Sequence, residues 1–433
     1  MKRGDKEMNE EKTLIVDVNE KPRGIEWLFL SFQHVFAMFG ATILVPMLTG
    51  FPVSVALFAS GIGTLIYTIC TKRKVPVYLG SSFAYITAVI LAVEAMGGDI
   101  SAAQTGLILV GVIYVVVAII IKFVGKDWID KLLPPIVIGP MIAVIGLGLA
   151  SNAVNNAGFV ENGKIAPMII AIITFLVAAL ISSKAKGFLK IVPFLVAIVI
   201  GYILSLCFGI VDLSGVAKAS WFSIPEFAFP FSTGGHFREY HFYFGPETLA
   251  ILPVAIVTIS EHIGDHTVLG KICGKNFLKD PGLDKTLIGD GVATAVSAFL
   301  GGPANTTYGE NTGVIGLTKI GSVYVTCGAA VIAIILSFCG KISAIISSIP
   351  SCVLGGMSIL LYGVIASNGL RILIDSRVDF SKQRNLIIAS AMLVIGLGGA
   401  VFPLGGSATL SGTALAAIVG VILNLLLPKE NEN

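Results

Sequence analysis

Residues 301–319 read GGPANTTYGENTGVIGLTK, an apolar stretch too short and too interrupted to be an ordinary membrane-crossing helix. Gly301, Gly302 and Pro303 discourage a helix at the start, and only about 306–318 could be helical without a break. At roughly 1.5 Å per residue that helix rises about 20 Å, against about 30 Å for the hydrocarbon core of a bilayer. The remainder of the crossing must be extended chain, which is tolerated at membrane depth only where protein or a water-filled cavity satisfies its N–H and C=O groups. Segment 76–93 has the same character, interrupted by Pro76 and Gly80. Broken segments in corresponding positions of two halves point to a ligand site near the bilayer midplane.

The rest of the chain fits this reading. Of its 433 residues 55% are hydrophobic and only 13% charged, and the mean hydropathy is +0.90. Soluble domains carry about 25% charged residues. Disorder, collagen and disulfide scaffolds are excluded, and the six cysteines are scattered, mostly inside apolar runs, without metal-ligand spacing. No metal and no cofactor is expected. Fourteen candidate spans follow from the length rule: 27–48, 51–70, 76–93, 104–123, 134–151, 166–183, 190–210, 246–270, 286–301, 303–318, 321–340, 346–366, 385–402 and 407–427. The expected fold class is an all-α polytopic membrane protein. Residues 1–26 form a solvated tail rather than a signal peptide, 27–210 a first seven-span repeat, 211–245 an aromatic-rich external connector, 246–428 a second repeat and 429–433 a tail.

Charge tests the count. With the N-terminus in the cytoplasm and fourteen crossings, 25 of the 29 Lys and Arg residues fall inside and only Lys164, Lys218, Arg238 and Lys341 outside. One span more or fewer would scramble that asymmetry, so both termini are expected to be cytoplasmic and the location a cell (plasma or inner) membrane. Seven spans per half invert the second half relative to the first. Gln33-His34 is echoed by Glu261-His262 and Gly80-Ser81-Ser82 by Gly309-Glu310-Asn311, at separations of 47 and 48 residues. Inverted repeats are a transporter hallmark.

Acids inside spans are costly and usually functional. Glu261 and Asp265 lie four apart on one helical face, Glu310 sits at the break of the tenth span, and Asp290 lies near the start of the ninth. His262 and His266 occupy another edge of the eighth span and read as packing histidines before ligands; His34 reads likewise, with a supporting role. Carboxylates accept hydrogen bonds and an interrupted backbone offers free N–H donors, so the fitting ligand is small, planar and neutral. A nucleobase such as uracil meets these terms. An inorganic anion would be repelled by the acids, and a membrane-embedded enzyme would want a nucleophile–base or metal motif that the spans lack. No affinity for nucleic acid is expected.

Residues 310–319, Glu-Asn-Thr-Gly-Val-Ile-Gly-Leu-Thr-Lys, match the signature of the nucleobase–ascorbate transporter (nucleobase:cation symporter-2) family. The resemblance extends through Gln33-His34, Gly80-Ser81-Ser82-Phe83-Ala84, Glu261-His262, Asp280-Pro281-Gly282-Leu283 and Asn305 to Asn311, and is strongest to the bacterial uracil carriers, which have glutamate at the first signature position. It implies a core domain (spans 1–4 and 8–11) moving against a gate domain (spans 5–7 and 12–14), often in a homodimer. It further implies uracil held by the Glu261 and Glu310 side chains and by backbone groups of Phe83 and Gly309, with Ser82 and Asn311 beside them. Proton-coupled import is the implied activity, a purine carrier of the same family the alternative. Some uracil carriers have histidine where this chain has Asp265, so the coupling candidates are Asp265, Glu261, His266, His34 and Asp290.

Overall fold

The computed structural model describes residues 14–190, 192–405 and 408–428. Residues 1–13 of the expected N-terminal tail, and all of the C-terminal one, lie outside the described residues. One main helix occupies each of the fourteen expected segments: α1 (Gly24–Thr49), α2 (Val53–Cys70), α3 (Ile86–Ala95), α4 (Ser101–Val124), α5 (Pro135–Gly148), α6 (Ile165–Lys184), α7 (Pro193–Cys207), α8 (Val254–Cys273), α9 (Leu283–Phe299), α10 (Gly309–Thr318), α11 (Val323–Ser337), α12 (Ser351–Asp375), α13 (Gln383–Leu397) and α14 (Gly412–Leu426). Among the described residues seven helical runs are long and apolar enough, by length and composition, to cross a membrane.

Three details differ from the sequence reading. The expected span 246–270 is divided into Pro246–Leu249 and α8, because Pro253 has no N–H to give a continuous helix. The expected spans 385–402 and 407–427 are shorter than drawn. Gly399, at φ +70°, and Pro403 stop α13 early, the chain pairs Phe402–Gly405 with Ala408–Leu410, and the Ser411 hydroxyl caps α14 by accepting from the Ala414 N–H. The all-α class is also qualified by a parallel strand pair within 211–245, Ala228–Phe229 with Arg238–Glu239, beside the extended crossing described below.

Two sets of helices pack mainly among themselves. In one, α2 lies along α9 and α11, α4 along α9, and α1 along α11; in the other, α5 lies along α12 and α13, α6 along α7 and α12, and α13 along α14. The pairings are reciprocal at an offset of seven helices: α2 with α11 answers α4 with α9, and α5 with α13 answers α6 with α12. Apolar surface cannot drive helices together in lipid, so close contact of small residues does. Gly111 of α4 and Gly291 of α9 face each other so closely that a Cβ on either would lie 2.5 or 2.7 Å from the other's carbonyl oxygen.

At one end of the first set the segment before α1 lies along the chain after α10. The Ile15 N–H donates to the Lys319 carbonyl (2.7 Å), the Gly321 N–H to Val16 (2.9 Å) and the Val323 N–H to Val18 (3.0 Å). Leu14 and Val18 are buried there beside Phe277, Ile315 and Val323. Two surface ion pairs, Asp17 with Lys275 at 2.7 Å and Lys74 with Asp280 at 2.6 Å, lie on the same face.

Candidate functional site

The two interrupted segments meet. Leu79–Ser81 pairs antiparallel with Asn305–Thr307, setting Leu79 opposite Thr307, Gly80 opposite Thr306 and Ser81 opposite Asn305. The Ser82 N–H donates to the Ala304 carbonyl (2.9 Å) and the Tyr308 N–H to the Tyr78 carbonyl (3.1 Å), so the extended backbone is satisfied by its partner segment. Side chains of α2 complete the support: the Leu79 N–H donates to the Thr64 hydroxyl (2.9 Å), and the Asn305 amide donates to the Ala59 carbonyl (3.0 Å).

Beyond the crossing, a short turn Phe83–Tyr85 leads into α3, while α10 starts at Gly309. Antiparallel strands send these two helices off in opposite directions, with their first, unbonded N–H groups and positive dipole ends at the crossing. Tyr308 braces the junction. Its ring lies on Gly80, where a Cβ would come within 2.3 Å of it, and its hydroxyl donates to the Ser81 carbonyl (3.0 Å) while accepting from Thr42 (3.2 Å).

The acids gather around this junction. Glu261 and Asp265 are half-buried on α8, and Glu310 is half-buried in the first turn of α10. Glu261 lies within electrostatic range of Asp265, Glu310 and Asp290. The Thr307 hydroxyl donates to Asp265, which ties α8 to the crossing strand. Gly309 is exposed at the start of α10, with nothing within 4 Å of where a Cβ would stand. Phe83 is half-buried and meets Tyr362 of α12 edge to face, ring centroids 6.1 Å apart.

Other nominated residues lie in the packing. Ser82 is buried, and Asn311 is buried against α1, its amide donating to the His34 carbonyl and meeting the ring Nδ1, both at 3.0 Å. Asp290 is fully buried with His262, Oδ2 to Nδ1 2.8 Å. His266 stacks on His262 with centroids 4.0 Å apart and its Nδ1–H donates to the His262 carbonyl (2.7 Å). That bond makes Nε2 of His266 the acceptor, so the Tyr67 hydroxyl donates to it. Sequence reasoning had not nominated Thr307, Tyr308, Tyr67 or Tyr362. Thr307 and Tyr308 stand inside the motif that had been singled out; Tyr67 and Tyr362 carry no local signal, since each acts across a helix interface.

A cavity of about 160 Å³ opens onto Glu310, between α1, α10 and the start of α7, and is walled by Phe36, Lys190, Phe194, Gly313 and Leu317. Among the described residues no group of His, Cys, Asp and Glu is arranged to hold a metal ion.

A broken-helix crossing with acids beside it, inside a bundle of apolar helices, is the arrangement of a membrane carrier. A family model described as a permease family matches residues 25–405, and the chain belongs to that family. It is a multi-pass membrane transporter and not an enzyme. The chain is 53% identical over 417 residues to a uracil permease of Bacillus caldolyticus, covering 96% of this chain and 95% of that one. It is 48% identical to a uracil permease of Bacillus subtilis (strain 168), with 97% of each covered, and 43% identical to one of Escherichia coli (strain K12), with 95% and 93% covered. Among solved structures, the murine Solute Carrier 26 family member A9 anion transporter in the inward-facing state superposes with a TM-score of 0.70 at 12% identity, over 94% of this chain and 69% of that one. The transmembrane domain of the cyanobacterial bicarbonate transporter BicA gives 0.63 at 16% identity, over 92% and 96%. At such identities the likeness is one of fold.

Proposed function

We propose that the chain imports uracil together with protons across the cell (plasma or inner) membrane by alternating access. The observation that carries this is the placement of Glu310 in the first turn of a helix that starts at the crossing, with Glu261 facing it from α8. Uracil offers ring N–H donors, which suit carboxylate oxygens, and carbonyls, which suit the unbonded N–H groups of Phe83 and Gly309 at the two helix starts. The high identity to relatives named uracil permeases supports this base over a purine.

In this reading the helices form two inverted seven-span repeats, 27–210 and 246–428, joined by 211–245 on the outer face, with both tails in the cytoplasm. The reciprocal packing at a seven-helix offset supports the repeat. The set containing α1–α4 and α8–α11 is the core that carries the site, the set containing α5–α7 and α12–α14 is the gate, and two chains pair as a homodimer. Asp265, joined to the crossing by Thr307, is the first candidate for the proton carrier, since a proton there alters the charge beside Glu261 and Glu310 directly. His266 has both ring nitrogens engaged by neighbours, His34 is buried with its Nδ1 against Asn311, and Asp290 is buried with His262, so these act on coupling through packing.

The test is uptake of labelled uracil into liposomes holding the purified protein. Uptake is expected to rise with an inward proton gradient and to be lost in Glu310→Gln, which should remain folded yet bind uracil at least tenfold more weakly. Uptake driven by sodium alone overturns the proton coupling, and wild-type affinity in Glu310→Gln overturns the site.

A further inference from the structure

The aromatic residues of 211–245 part into two groups in the structure. Phe227, Phe229 and Phe237 are half-buried and pack on protein: Phe227 meets Phe58 of α2 edge to face with ring centroids 5.1 Å apart, and Phe237 meets Phe229 likewise at 5.4 Å. Trp221 and Phe222, in contrast, are 78% and 71% exposed. They do not sit on a loose loop. The Phe222 ring stacks at 5.9 Å on Phe338, the residue that caps the end of α11, and the Ser223 N–H donates to the Phe338 carbonyl (2.9 Å). The Lys341 ammonium donates to the carbonyls of Val216 (2.6 Å) and Ala217 (3.0 Å), in the short helix Ser214–Lys218 that leads up to the two rings. Two large rings are thus kept exposed by backbone that is itself tied down.

An exposed apolar patch marks a contact with a membrane or with another protein. Its continuity with α11 selects the membrane. Val331 and Ile335 lie four residues apart on one face of α11, both are exposed, and Phe338 follows three residues on in the same line. In a membrane transporter such an outward apolar stripe faces hydrocarbon. α11 starts beside Lys319, so Phe338 and the rings next to it stand at the far end of the helix from that basic face. There hydrocarbon gives way to headgroups, the zone in which tryptophan is enriched because its ring is apolar and its N–H polar. Lys218, exposed three residues before Trp221, adds a cation on a flexible apolar stem, a second side chain suited to that zone.

We propose that Trp221 and Phe222 seat the start of the 211–245 segment in the headgroup layer of the bilayer, at the end of α11. The test compares the emission of the wild type with that of Trp221→Leu, which keeps an apolar side chain on the surface, in phosphatidylcholine vesicles. Trp27 and Trp128 are common to both proteins, so the difference spectrum is that of Trp221. Phosphatidylcholine brominated high on its acyl chains should remove about half of that difference signal, and phosphatidylcholine brominated near the chain ends less of it. Iodide present on both sides of the vesicles should remove little. Phe222→Trp made in the Trp221→Leu chain moves the reporter by one residue and should give the same order of quenchers. Iodide quenching as strong as that of free tryptophan overturns the proposal, since the rings would then stand in water. Stronger quenching from the chain ends overturns it by placing them in hydrocarbon, and protection from every quencher overturns it by showing that a second copy of the chain covers them.

Discussion

Thr307 donates its hydroxyl proton to the carboxylate of Asp265, and this one bond joins the crossing strand to the helix that carries Glu261. Thr307 precedes Glu310 by three residues, so the bond also fixes the spacing between the two glutamates. A hydrogen bond to a charged partner contributes about 1.5–3 kcal/mol, roughly a tenfold to hundredfold change in an equilibrium constant. Thr307→Val keeps the shape and removes the donor. Its uracil affinity, by calorimetry on the purified protein, should fall about tenfold or more, and Thr307→Ser should restore most of it.

A second prediction concerns Gly80. A Cβ there would stand 2.3 Å from the Tyr308 ring, which is itself held between Thr42 and the Ser81 carbonyl and cannot swing away without breaking two hydrogen bonds. Overpacking of this kind costs about 1–3 kcal/mol. Gly80→Ala should lower the thermal unfolding temperature and weaken uracil binding. The same substitution made in a Tyr308→Ala background should cost much less, since the clashing ring is gone.

The short, interrupted segments could be read from residue order because glycine, proline and small polar residues act on their own stretch of chain. So could the grouping of Glu261, Asp265 and Glu310, which needed only helical spacing and the matched separations of the two motifs. The antiparallel register of Gly80 with Thr306 is a relation between residues far apart in the chain, and nothing local specifies it. Asp290 shows the limit from the other side. Although it lies near the start of the expected ninth span, it is completely buried with His262, because α9 packs so closely on its neighbours that even its first turns are covered. The Phe402–Leu410 strand pair overlaps the expected spans 385–402 and 407–427 only at Phe402 and at Ala408–Leu410, where apolar composition resembles that of a span and only Gly399 and Pro403 argue otherwise.

The Asp290 and His262 pair provides a third prediction. Both side chains are fully buried, so removing one partner strands the other. Asp290→Leu should therefore destabilise the protein by about 3–5 kcal/mol if the pair is ionic, and by about 1–3 kcal/mol if it is a neutral hydrogen bond. Asp290→Asn retains an acceptor for the His262 Nδ1–H and should cost less than Asp290→Leu in either case. The double substitution Asp290→Leu with His262→Leu should recover part of the loss, which thermal unfolding in detergent can show. Equal losses for the Asn and Leu variants would mean that the hydrogen bond contributes nothing.

The last prediction lies at the basic face, where the Lys74 ammonium donates to both oxygens of Asp280, at 2.6 and 2.8 Å. This hydrogen-bonded partner holds the Asp280 carboxyl below its ordinary value of 3.8. A carboxylate whose folded value is depressed adds stability that is fully present above its unfolded value and is lost as pH falls through the folded one. Both side chains are well exposed, so the effect is small and screened by salt. Lys74→Gln should thus unfold at a slightly lower temperature than the wild type at neutral pH and low salt. The difference should persist down to about pH 4, shrink below it as Asp280 takes up a proton, and narrow at every pH when salt is raised to about 1 M. A difference that stayed constant from pH 7 to pH 3 would assign the loss to the packing of the Lys74 stem and not to its charge.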